Sequence, residues 1–136
     1  MESRKNIAAA KKAGGRYNCA QAVVTSYPEL TGLSEADAMH LTDAFAAGMA
    51  TMDGTCGALT GAGIVLGMAN KNASATRKQM RSIMTAFMER NKTVTCRELK
   101  GAGTHCVLRE CPLCVADACE FLERQLAGRP VEEKKE

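Results

Sequence analysis

Seven cysteines stand at positions 19, 56, 96, 106, 111, 114 and 119 of a 136-residue chain. Thiols serve as nucleophiles, redox couples and soft metal ligands, and the compartment decides which use prevails. The first residues, Met1-Glu2-Ser3-Arg4-Lys5-Asn6, carry no apolar signal core. The expected location is therefore the cytoplasm, a reducing compartment where structural disulfides are uncommon. An odd count also excludes complete internal pairing. The cysteines point away from stapling and towards thiol redox chemistry or metal and cluster binding.

Cys56 sits between Gly54-Thr55 and Gly57, at the start of an apolar, glycine-rich segment. If that segment is a helix, its unpaired N–H groups and dipole would lower the thiol pKa and make Cys56 nucleophilic near neutral pH. The flanking glycines would leave room for a partner sulfur, a metal or a small molecule. Cys111-Pro112-Leu113-Cys114 is a Cys-x-x-Cys at a second expected helix start, with Pro suited to the first helical position. That spacing can close a disulfide or supply two metal ligands. Cys106, in the preceding loop, could approach Cys111. Cys119 lies five residues past Cys114 and should point to another face. Cys19 and Cys96 are isolated and, by themselves, read as buried filler.

The four segments Asn18-Cys19-Ala20-Gln21-Ala22-Val23, Gly54-Thr55-Cys56-Gly57-Ala58-Leu59-Thr60-Gly61, Thr95-Cys96-Arg97-Glu98-Leu99 and Cys111-Pro112, taken in order, resemble the C_GCAxxG_C_C family, named for its cysteine pattern. The resemblance runs from about residue 15 to 127 and implies redox activity, with no reaction established for the family. It also implies a working set of Cys19, Cys56, Cys96 and Cys111. Cys56 is then the expected reactive thiolate and Cys111 its expected partner. Cys106, Cys114 and Cys119 depart from the pattern, so Cys111 could act either with the distant cysteines or with its neighbours.

Three functions follow. The first is a cysteine-based redox protein of the thiol–disulfide or electron-transfer kind, oxidoreductase-like, serving a redox partner protein or a small thiol or disulfide. The second is an iron–sulfur or zinc protein with Cys19, Cys56, Cys96 and Cys111 as ligands. Their separations of 37, 40 and 15 residues are unlike compact ferredoxin or zinc-ribbon runs. No Cys-x-x-Cys-His is present for covalent c-type haem. The third is a non-catalytic helical interaction module. His40 is expected at the surface of a helix. His105 could assist Cys106 as a base or ligand, or be an ordinary loop residue. A charge of +3 without a basic, aromatic-interleaved stripe speaks against nucleic acid. The longest charge-free run, between Asp53 and Lys71, is just short of a bilayer span.

The elements that must position these residues are helical. The apolar period is near 3.6 and strand alternation is nearly absent. The pattern predicts a single all-α domain over 1–128, a bundle of about five to seven helices, with a charged, flexible tail over 129–136. Helices are expected from Ser3 to Ala13, stopped by Gly14-Gly15, and from Tyr17 to Tyr27, before Pro28. Another should start at Ser34 and carry Ala38, Leu41, Ala44, Phe45 and Met49. Further helices are expected over Thr55–Met68, Ala75–Arg90, Thr95–Leu99 and Cys111–Leu126, the last ended by Gly128 and Pro130. Aromatics are only 4%, with no Trp, so Ala, Gly and Met must fill the interior. Gly57/Gly61 and Gly63/Gly67 each lie one helical turn apart, where another backbone can come close. That neighbour could be intramolecular or a second copy in a homodimer.

Overall fold

A computed structural model of the chain describes residues 2–128. In order it contains α1 (Lys5–Ala13), α2 (Cys19–Val24), α3 (Pro28–Thr31), α4 (Glu35–Thr42), a 3-10 turn (Asp43–Phe45), α5 (Ala46–Met49), α6 (Gly57–Asn70), α7 (Ala73–Asn91), α8 (Cys96–Lys100) and α9 (Cys111–Leu126). Five of these helices have eight residues or more, and α2, α3, α5 and α8 are shorter. Extended pairing among the described residues is confined to one isolated antiparallel bridge, Thr55 to Thr95. The tail over 129–136 and the expected stop at Pro130 lie outside the described residues.

Local chemistry explains most boundaries. Asn18 caps α2 through a reciprocal box: its side chain accepts from the Gln21 N–H and the Gln21 side chain accepts from the Asn18 N–H. The same two residues tie α2 to α4, since Asn18 donates to the Thr42 carbonyl and Gln21 to the Met39 carbonyl. Helix α2 is shorter than its apolar period suggests. The Thr25 and Ser26 hydroxyls donate back to the Gln21 and Ala22 carbonyls and end the ladder. Pro28 then opens α3 instead of only ending α2. Thr42 likewise donates to the Ala38 carbonyl and closes α4. The expected run to Met49 therefore stops early, leaving Leu41 and Met49 about half exposed, at 48% and 50%.

Helix α9 packs on α1, α2, α6 and α7, and α2 lies along α6. The core joins Val23, Val24 and Tyr27 to Leu59, Leu66, Ile83, Phe87, Val115, Phe121 and Leu122, with buried alanines between them. Of the methionines expected there, Met80 and Met84 pack against the core, whereas Met49, Met68 and Met88 are exposed. The small-residue stripe of α6 divides in two. A Cβ on Gly61 would stand 2.9 Å from the Ala20 carbonyl oxygen, and one on Gly57 would stand 3.2 Å from the Ala20 nitrogen. A Cβ on Gly63 or Gly67 would meet only ordinary contacts, at 3.5 Å and 3.9 Å. The close neighbours of the stripe are thus α2 and the Phe45 carbonyl of the same chain, set against Gly57 and Gly61.

Asp117, in the second turn of α9 and only 3% exposed, fixes that helix. It accepts from both Arg109 Nε and Nη2 at 3.0 Å, from Arg90 Nη1 at 2.9 Å and from Asn91 Nδ2 at 3.1 Å. The bidentate Arg109 contact clamps the loop before α9 onto the helix it introduces. No helix among the described residues is long and apolar enough to cross a membrane.

Candidate functional site: a line of thiols at the helix starts

Four cysteines far apart in sequence stand at the beginnings of four helices. Cys19 is the first residue of α2, Cys96 of α8 and Cys111 of α9, and Cys56 is the residue before α6. The Thr55–Thr95 bridge accounts for two of them, because each threonine immediately precedes a cysteine. The Cys56 N–H donates to the Val94 carbonyl at 2.7 Å, and the Cys96 N–H donates to the Gly54 carbonyl at 3.0 Å. The close crossing at Ala20, Gly57 and Gly61 brings Cys19 beside them. Clamped by Arg109 and Asp117, α9 delivers Cys111 and, one turn later, Cys114.

The wall opposite is unusual. Ala47, Gly48, Met49 and Ala50 all have positive φ, between 50° and 69°. Such geometry costs about 1–2 kcal/mol per residue bearing a Cβ. It is held by Ala50 N–H to Ala46 C=O at 2.6 Å, Met52 N–H to Ala47 C=O at 2.8 Å and Gly54 N–H to Gly48 C=O at 3.1 Å. Gly48 is required on two counts. Its φ is +61°, and a Cβ there would lie 2.5 Å from the Cβ of Cys96. The turn therefore sets the depth of the site on the Cys96 side.

Between these walls is a cavity of about 150 Å³, lined by Cys19, Cys56, Cys96, Cys111 and Cys114, with Lys12 and Lys100 also on its lining. All seven cysteines are free thiols. Thiol–thiol contacts run in a line from Cys111 to Cys19, from Cys19 to Cys56 and from Cys56 to Cys114. The line ends where Cys114 Sγ donates to the Arg109 carbonyl at 3.7 Å. Cys111 is half-buried, whereas Cys56 and Cys114 are buried, so the line leads from the accessible side inward. Cys96 stands aside, related to Cys111 through charge alone.

These contacts set the protonation of the thiols. Contact with Cys19 pushes the Cys111 thiol far up, burial adds to this, and the charges of Lys100 and Lys12 pull the other way. Contact with Cys111 lowers Cys19, but contact with Cys56 and burial outweigh it and lift that thiol to about 12. Burial raises Cys96, against the charge of Lys100. The expected lowering at Cys56 is reversed: contact with Cys114, then burial, pushes it up to about 12. The helix-start effect is present, since a hydrogen bond from the Ala58 N–H lowers it, but that bond is the weaker influence.

Of the sequence candidates, the fold gathers Cys19, Cys56, Cys96 and Cys111 on one cavity. Cys56 and Cys111 both meet Cys19 on that cavity. Cys106 is exposed in the loop before α9 and does not line the cavity. Cys119 is buried beside Tyr27, in the core. His105 lies in an exposed loop with φ of 60°, and the His40 side chain is exposed on α4. Sequence reasoning undervalued Cys114. Its signal was the three-residue step from Cys111, which on a helix puts both on one face. Lys12 and Lys100 carried no local signal, since only the packing of α1 and α8 places them on this cavity.

The metal or cluster alternative gains no support from this arrangement. Among the described residues, no group of three or more His, Cys, Asp or Glu side chains is arranged to hold a metal ion.

Cysteine pairs brought close from different helices define a protein equipped for cysteine-based redox chemistry. The chain belongs to the C_GCAxxG_C_C family, whose model, described as "putative redox-active protein", matches residues 17–125. Neither the curated proteins nor the solved structures compared with it returned a match.

Proposed function

We propose that the protein carries out thiol–disulfide exchange, with Cys111 as the receiving thiol and Cys19 as the resolving thiol. The observation that carries this is their contact, between α9 and α2, on a cavity that Cys111 leaves half-buried. Cys111 Sγ attacks one sulfur of a small disulfide. A mixed disulfide forms, and the other half leaves as a thiol with the proton Cys111 gave up. Cys19 Sγ then attacks Cys111 Sγ, closing the Cys19–Cys111 disulfide and releasing the second half, protonated, as a thiol. One disulfide is reduced and two protein thiols are oxidised. A second thiol, or a redox partner protein, returns the pair to the dithiol. Lys12 and Lys100 suit a substrate with negative charge, and a cavity of about 150 Å³ suits a small one better than a folded protein. The work belongs in a reducing compartment such as the cytoplasm.

The test is to treat the reduced protein with a small disulfide, quench with acid, alkylate, and map the cysteines by mass spectrometry. With the disulfide in excess, wild type should show a Cys19–Cys111 disulfide and no retained adduct. Cys19→Ser should retain the adduct on Cys111. Modification of exposed Cys106 alone in both proteins would overturn the proposal.

A further inference from the structure

The exchange reaction uses two thiols, yet the line of contacts contains four. Cys56 and Cys114 continue it inward, and both are buried, at 5% and 1% exposure. Both are far less accessible to a substrate than half-buried Cys111. Cys56 in turn meets Cys19, which meets Cys111, and all four line one cavity.

We propose that Cys56 and Cys114 form an internal reservoir that draws the disulfide inward from the Cys19–Cys111 pair through the Cys19–Cys56 contact. The proposal rests on the exchange reading of Cys111 and Cys19. It proceeds in two steps. Cys56 Sγ attacks Cys19 Sγ of the Cys19–Cys111 disulfide; a Cys19–Cys56 bond forms and Cys111 leaves as a thiol, taking the proton lost by Cys56. Cys114 Sγ then attacks Cys56 Sγ; the Cys56–Cys114 disulfide forms and Cys19 leaves as a thiol with the proton lost by Cys114. The number of disulfides is unchanged, and no oxidant is required beyond the small disulfide already consumed. The outer pair is restored and can reduce a second equivalent, so one molecule consumes two disulfides before it needs outside electrons.

The linear order demands this sequence of bonds. Cys111 and Cys114 are neighbours on α9, but each faces a different partner, Cys19 for one and Cys56 for the other.

The experiment titrates the fully reduced, full-length protein with one and then two equivalents of 2-hydroxyethyl disulfide, followed by acid quench, alkylation and mass-spectrometric mapping. At one equivalent the Cys56–Cys114 disulfide should be detected with Cys19 and Cys111 alkylated. At two equivalents both disulfides should be present. Cys114→Ser and Cys114→Ala should each consume one equivalent, half the wild-type capacity, with the bond held among Cys19, Cys56 and Cys111. The mapping in wild type stands even if both variants fold poorly. A Cys19–Cys111 disulfide with Cys56 and Cys114 still thiols at two equivalents would overturn the reservoir and leave the exchange reading intact. So would a Cys111–Cys114 disulfide formed in place of Cys56–Cys114. If wild type forms no Cys19–Cys111 bond and Cys19→Ser retains no adduct on Cys111, the exchange reading falls and the reservoir with it.

Discussion

At the scale of the residue, the site is governed by which sulfur each cysteine faces. Cys19 and Cys56, lifted from an ordinary thiol value of 9 to about 12, hold their protons more tightly folded than unfolded. The native state therefore binds more protons between about pH 9 and pH 12, and the stability linked to these thiols is complete below pH 9 and lost as pH rises through that window. Denaturant midpoints measured across pH 8 to 11 should fall, and the fall should be shallower in Cys19→Ser and Cys56→Ser. Reactivity follows the same displacement. At neutral pH the smaller thiolate fraction is offset in part by the greater nucleophilicity of a more basic sulfur, leaving Cys56 about thirtyfold slower than an ordinary thiol before any occlusion by packing. Exposed Cys106 should alkylate first, and rates at Cys19 and Cys56 should still be climbing above pH 9. The position of Cys56 at a helix start was legible from its glycines. The sign of its shift was not, because that depends on Cys114, contributed by a helix more than fifty residues later.

At the scale of the element, helix limits followed from caps and breakers. Helix α9 spans Cys111–Leu126 as its pattern predicts, and α6 and α7 lie within two residues of expectation. Misreadings fell where side chains bond back to their own helix, as Thr25 and Thr42 do, since hydroxyl direction is not encoded in apolar periodicity. The glycine stripe offers a sharp comparison. Gly61→Ala must push against the Ala20 backbone and should destabilise by about 1–3 kcal/mol, while Gly63→Ala meets only the Met80 side chain and should be neutral or stabilising by up to about 1 kcal/mol. Thermal unfolding of the two variants would show it. The left-handed turn reverses the usual rule for glycine. Ala50 is exposed with φ of 69°, so Ala50→Gly should raise stability by about 0.5–1 kcal/mol in the same measurement. A run of Ala-Gly-Met-Ala gives no sequence hint of that handedness; it is imposed by the Gly48, Gly54 and Cys96 backbones meeting.

At the scale of the whole molecule, the all-helical class was legible in the 3.6-residue period and the family's cysteines in their order. What joins the cysteines was not, because a bridge one residue long leaves no alternating pattern to read. That bridge has a topological effect. It pins Thr55 to Thr95, so α6 and α7 leave the site, turn at Lys71-Asn72 and return to where they began. The tip is exposed and distant in sequence from every cysteine. A protease site inserted between Lys71 and Asn72 should be cut while the two pieces stay together through α9 on α1, α2 and α6 and α7 on α6. Gel filtration after cleavage should give a single peak at the uncut position, and the thiol map should be unchanged. Expressed separately, chains 1–71 and 72–136 would divide the cavity's sulfurs, Cys19 and Cys56 in one and Cys96, Cys111 and Cys114 in the other, so recovered disulfide consumption on mixing would report reassembly of the two pieces.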